Sequence, residues 1–228
     1  MKNKIFYKLK NQCESKYVGS FPQIQRYKKG YITERRNSMT KTARYFFSQN
    51  PGPELDVDGL VLAPKAKLTD FLTSTAFSDY VGLLISERLL KIIQSVTTVN
   101  YEIYPAPIYN KDEEVIANYF YIHYTQELPE LIDFKEFKII IDNAEKPYEI
   151  LLKNETEYKL FIQKNPHANL IYKDKIIYKN KVDNFDIFRD GIFFCETIIS
   201  EKAMQLFVDN KITGLEFIKI TNIFINED

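Results

Sequence analysis

The side chains from which a catalytic or metal site would be assembled are few. The chain has 2 His, 2 Cys and 31 Asp+Glu in 228 residues. A histidine is the natural acid–base group near neutral pH. His123 sits in Tyr121-Ile122-His123-Tyr124, a strand-like run, and reads as a structural residue of a sheet. His167 follows Asn165-Pro166 in a predicted turn, exposed to water. Cys13 and Cys195 lie far apart with no Cys-x-x-Cys, so the zinc pattern is missing. Both read as reduced, with Cys195 buried in a strand. No His-Glu-x-x-His, Gly-x-Ser-x-Gly, P-loop or Gly-x-Gly-x-x-Gly motif occurs. Two acids might converge as a hydrolytic pair, but no spacing marks such a pair. The residues therefore predict no enzyme, no cofactor and no metal.

Two charged features remain. Asp112-Glu113-Glu114 is either a hydrated loop or an acidic contact for a basic protein. Arg189 lies in Asp186-Ile187-Phe188-Arg189-Asp190-Gly191, between two strands and beside two aspartates. It either organises a turn through those carboxylates or binds an anion or a partner. Asp112, Glu113, Glu114 and Arg189 are the candidate binding residues.

Charge is unevenly spread. Lys+Arg equals Asp+Glu at 31, which argues against a wholesale polyanion binder. Yet residues 1–50 carry 12 Lys/Arg against Glu14 and Glu34, and residues 51–150 carry 8 against 17 Asp/Glu. Arg26, Lys28, Lys29, Arg35, Arg36, Lys41 and Arg44, with Tyr27, Tyr31 and Tyr45 among them, are the basis of an alternative reading as a nucleic-acid module. The competing reading is a solvated face that pairs with the acidic middle segment. No apolar run follows the basic N-terminus or reaches bilayer length, so neither a secretion signal nor a membrane span is expected.

The elements that must position these residues are mostly strands. Ile5–Leu9 reads as a first strand, and residues 11–50 are irregular up to the break at Pro51-Gly52-Pro53. Leu60–Leu62 is a short apolar piece, and Leu68–Phe77 reads as a helix or helical turn, with Thr69 or Asp70 as the candidate cap. Ser86 with Glu87 opens the clearest helix, carrying Leu89, Leu90, Ile92, Ile93 and Val96 on one face. Val99, Tyr101 and Ile103 alternate as a strand that Pro105 and Pro107 end or leave at an edge. Strands are predicted over Val115–Tyr124, Phe137–Ile141, Tyr148–Leu152, Tyr158–Ile162, Leu170–Tyr178 and Ile192–Ile198. The class is α+β, with mostly antiparallel sheets and a few helices. A basic segment 1–59 is expected to pack on a domain 60–228 as one globular unit.

The chain also repeats itself. Ser86-Glu87-Arg88 returns as Ser200-Glu201-Lys202, an offset of 114, and Tyr101-Glu102-Ile103 meets Leu215-Glu216-Phe217 at the same offset. Two related strand–helix–strand units follow, around 81–104 and 195–220. The second helix should turn Ala203, Met204, Phe207 and Val208 inward.

The order Lys67-Leu68-Thr69-Asp70-Phe71-Leu72, Gly82-Leu83-Leu84-Ile85-Ser86-Glu87 and Tyr101-Glu102-Ile103-Tyr104-Pro105 is continued late in the chain. There it meets Ile187-Phe188-Arg189, Ile198-Ile199-Ser200-Glu201 and Thr213-Gly214-Leu215-Glu216-Phe217. Over roughly residues 60–220 this resembles immunity family eleven of bacterial polymorphic toxin systems. The resemblance implies a cytoplasmic, non-enzymatic protein that binds and blocks one cognate toxin domain. Such a role needs a rigid scaffold and a complementary surface rather than a nucleophile.

Overall fold

The computed structural model describes residues 2–28, 57–74, 82–125, 131–134, 138–141, 147–165, 170–172, 176–190, 196–221 and 223–226. The chain begins with β1 (Lys2–Asn3), β2 (Phe6–Asn11), a single helical turn α1 (Ser15–Val18) and β3 (Ile24–Tyr27). Next come β4 (Leu60–Leu62), β5 (Phe71–Leu72), β6 (Gly82–Ser86), helix α2 (Glu87–Gln94) and the hairpin β7 (Tyr101–Tyr109) and β8 (Val115–Tyr124). β9 (Lys138–Ile141), β10 (Tyr148–Leu151), helix α3 (Glu155–Lys164) and β11 (Leu170–Tyr172) follow. The last part holds β12 (Ile176–Tyr178), β13 (Ile187–Asp190), β14 (Glu196–Ser200), helix α4 (Glu201–Asp209), β15 (Leu215–Ile220) and β16 (Ile223–Ile225). The class is α+β, as the sequence predicts.

The largest sheet has the order β3-β4-β7-β8-β6-β5. A parallel bridge between Ile24 and Ser74 joins its two edges, so the sheet closes on itself. Each strand sends an apolar side chain to one shared core: Ile24, Leu60, Leu72, Leu84, Ala106 and Tyr121. Gln23, fully buried, seals the seam. Its amide donates to Lys67 O at 2.6 Å and Thr69 Oγ1 at 2.8 Å, and its Oε1 accepts from Thr73 N at 3.2 Å. Pro105 and Pro107 do not end their strand. β7 runs through both, and they sit at alternate positions of its pairing with β8, where one side of the strand can do without two donors.

A second sheet has the order β13-β14-β2-β15, all antiparallel. The same order of pairings occurs in the closed sheet as β5-β6-β8-β7. The registers match too. Ser86 and Ala106 both lie opposite Tyr119, while Ser200 and Ile220, each 114 residues later, both lie opposite Phe6. Phe71 faces Ile85 as Ile187 faces Ile199. The echo in the sequence is therefore a duplicated unit of four strands and a helix. Its second copy takes its inner strand, β2, from the N-terminal end of the chain. Between the two sheets lies the main core, where Phe6 and Tyr178 meet Phe188 edge-on at 5.4 and 5.5 Å.

Four readings of the sequence need correction. Leu68–Phe77 is not helical over the described part: Phe71 and Leu72 form β5, and residues 75–77 lie outside the described residues. Thr69 is claimed by the sheet, since its hydroxyl donates to Phe71 O and Tyr119 OH donates to its carbonyl, both at 2.6 Å. Tyr158–Ile162 is helix α3 rather than a strand, because Asn154 Oδ1 caps Glu157 N at 2.9 Å and Glu157 returns the bond to Lys153 N. Tyr158 and Phe161 then share the face that meets the core. Leu170–Tyr178 is split, with β11 joining β9 and β12 joining β16. Val208 of α4 points outward, while Ala203 and Phe207 are buried.

Phe6→Ala removes a fully buried ring from the strand that completes the second unit. We expect a loss of about 3–5 kcal/mol in urea unfolding. A change below about 1 kcal/mol would show that β2 is not integral to the core.

Candidate functional site

Ser86 and Ser200 each cap a helix by accepting the backbone N–H of Leu89 and of Ala203, both at 3.2 Å. Each serine is in turn held by an aspartate that stands just before the neighbouring strand. Ser86 Oγ donates to Asp70 at 2.8 Å and Ser200 Oγ to Asp186 at 2.9 Å. A basic side chain two residues on completes each set, Arg88 on Asp70 and Lys202 on Asp186. The remaining donors come from the other unit. Asp70 accepts Thr213 N at 2.9 Å and Thr213 Oγ1 at 2.8 Å, from the segment after α4. Asp186 accepts Thr97 N at 3.2 Å, from the segment after α2. Arg88 also reaches the carbonyls of Asn210 and Lys211 at the end of α4. Gly214 fits here with φ +88, and a Cβ on it would stand 2.3 Å from Phe71 O.

Burial by itself would raise both carboxyls. The bonds from Arg88, Thr213 and Ser86 outweigh it and hold Asp70 down at about 2. Lys202, Ser200 and Thr97 lower Asp186 in the same way. These carboxylates are engaged by donors and act as a joint between the units. Among the described residues, no group of three His, Cys, Asp or Glu is placed to hold a metal.

The acidic run lies at the tip of the β7–β8 hairpin. Asn110 shapes it: its Oδ1 accepts the N–H of Asp112 at 2.9 Å and of Glu114 at 3.0 Å. Its Nδ2 donates to Glu114 Oε2 at 3.0 Å, and Glu113 takes the left-handed φ of 67° that closes the turn. Asp112 and Glu114 are exposed, and Val115 and Ile116 beside them are 54% and 42% exposed. Below the tip, Lys28 Nζ sits 3.9 Å from the Tyr109 ring centroid, and Tyr109 OH donates to Asp58 at 2.5 Å. Arg26 donates to Lys111 O at 3.1 Å. Two of the basic residues thus brace the acidic turn. Lys29, Arg35, Arg36, Lys41 and Arg44 lie outside the described residues, as do Tyr31, Tyr45, His167 and Cys195.

Arg189 is not in a turn. It lies in β13 opposite Thr197, and its charge acts on the buried Tyr124. Tyr124 ends β8, whose other end is the acidic turn, roughly 30 Å away at about 3.3 Å per residue. Asp112, Glu113 and Glu114 therefore share one surface, and Arg189 belongs to another. His123 is buried in β8 between Gly82 and Glu102. Cys13 is exposed and free.

The equivalent roles of Asp70 and Asp186 and the exposure of Val115 and Ile116 were not read from the sequence. An aspartate ahead of each Ser-Glu repeat was the available signal for the first. Nothing local marks the second, since Val and Ile in a strand read as core.

Asp70→Asn should cost about 2 kcal/mol at neutral pH, because the amide keeps one acceptor and loses the charge opposite Arg88. The wild-type carboxyl is lower in the folded state, so its contribution is complete above the unfolded value near 4. It is lost as pH falls through about 2. Urea titrations from pH 7 to 2 should show the gap between the two proteins closing below about pH 4. A gap that does not depend on pH would refute this role.

Among the described residues, no helix is long and apolar enough to cross a membrane. No curated protein matches the chain. A family model described as an immunity protein family (Imm11) matches residues 23–222, which takes in both Asp–Ser joints and the acidic turn. The chain belongs to the immunity protein family Imm11.

Proposed function

We propose that this protein neutralises one cognate toxin domain in the cytoplasm by occupying its working surface, with the β7–β8 turn as part of the contact. The observation that carries the reading is the family match over residues 23–222. The turn suits the role physically. Asn110 holds its backbone in one shape, so little ordering entropy is lost on binding. Asp112, Glu113 and Glu114 supply negative charge next to the exposed Val115 and Ile116. A basic toxin face would be steered by the acids and held by apolar burial. Blocking of this kind is steric and needs no chemistry from the immunity protein.

Co-production with the toxin domain encoded beside its gene should restore growth of cells that the toxin alone arrests. Asp112→Lys with Glu113→Lys should slow association at least tenfold at low salt, with the deficit shrinking as salt is added. No protection and no complex would sink the reading. Protection with unchanged association rates would move the contact away from the turn.

A further inference from the structure

A second surface stands at the same end of the closed sheet as the acidic turn. β4 runs parallel to β7, with Leu60 beside Ile108 and Val61 beside Tyr109. The segment after β4 therefore leaves the sheet where the Asn110–Glu114 turn does. β3 runs antiparallel to β4 with Ile24 opposite Leu62, so the segment before β3 enters at that end too.

These two segments are clamped together. Lys67 N donates to Val18 O at 2.8 Å, Lys67 Nζ to Lys16 O at 2.7 Å, and Ser20 Oγ to Pro64 O. Gly19, at φ +74, lets the backbones touch: a Cβ there would stand 1.9 Å from Lys65 O. The clamp presents Tyr17, Phe21 and Leu68 to water at 51%, 46% and 43% exposure. Lys16, Lys65 and Lys67, all exposed, belong to the same two segments; Lys16 Nζ lies 4.6 Å from the Tyr17 ring centroid, and Glu14 offsets only Lys16. None of the three apolar side chains belongs to either core. Exposed apolar side chains on segments that also carry lysines are the composition of a docking surface for an acidic protein segment.

We propose that Tyr17, Phe21 and Leu68, with Lys16, Lys65 and Lys67 of the same clamped segments, form a second half of the docking surface and take an acidic, apolar-bearing segment of the toxin domain. This rests on the reading of the chain as a toxin binder. The charge layout favours a protein over a nucleic acid. A polyphosphate drawn to the lysines would meet Asp112, Glu113 and Glu114 at the same end of the sheet, whereas a protein can present both signs. Opposite charges at the two halves would also fix the orientation of the partner.

The test measures the affinity of the full chain for the inactivated toxin domain encoded beside its gene. Lys16→Glu with Lys65→Glu, and separately Tyr17→Ala, should each raise Kd at least tenfold. Thermal midpoints should move by only a few degrees, because the Lys16–Glu14 pair and the Lys16–Tyr17 contact that these variants break are exposed. Hydrogen exchange in the complex should be slowed over residues 16–21 and 64–68 as well as 111–116. Wild-type affinity in both variants, with these amides unprotected, would overturn the second half and leave the toxin reading standing. Failure of the wild-type chain to bind the toxin domain would overturn both. Binding of decauridylate that is lost in the lysine variant, with toxin affinity intact, would assign the surface to nucleic acid instead.

Discussion

Asp70 is the point on which the two halves of this molecule depend. Its carboxylate is almost wholly buried and is filled by Ser86 and Arg88 from its own unit and Thr213 from the other. An ionised group in that position would be costly without such donors, and removing any one leaves a charge short of partners. Asp186 repeats the arrangement in the opposite direction with Ser200, Lys202 and Thr97. Each unit thus pins the segment that follows the other's helix. Neither set is complete within one copy, so the joint forms only when both units are folded and docked.

The duplication also explains the place of the N-terminal strand. In the first unit β8 follows β7 directly and fills the position between β6 and β7. After β15 the next described strand, β16, pairs with β1 and β12, and β2 occupies the slot in the same register. Phe6 there does what Tyr119 does in the first copy, facing both a capping serine and the returning strand. The first sheet closes through the Ile24–Ser74 bridge, and its core is separate from the one shared by the two helices. A closed sheet leaves its end loops as the available surface. The acidic turn and the clamped lysine-rich segments both stand on that end, held by hydrogen bonds from Asn110, Lys67 and Ser20.

Much of this was legible in the chain. The Ser-Glu caps, the helix after each and the 114-residue offset are local signals, and the structure has all of them. The strand at Tyr158–Ile162 was misread because its alternation is short, while the cap at Asn154 and Glu157 carried the stronger helical signal. Leu68–Phe77 was misread because Asp70 looks like a cap in sequence, yet its partner Thr213 lies 143 positions away. Arg189 was placed in a turn by its flanking aspartates, although Asp186 bonds Ser200 and Lys202.

Sequence alone determined the class, the duplicated unit, the missing catalytic motifs and the family resemblance, because each is carried by neighbouring residues or by their order. Tertiary structure decided which aspartates join the units, which strand completes the second sheet, and which apolar residues remain in water. Those outcomes depend on groups far apart in the chain. Their pairing is chosen by the need to satisfy a buried carboxylate and an open sheet edge, and no local pattern encodes that choice.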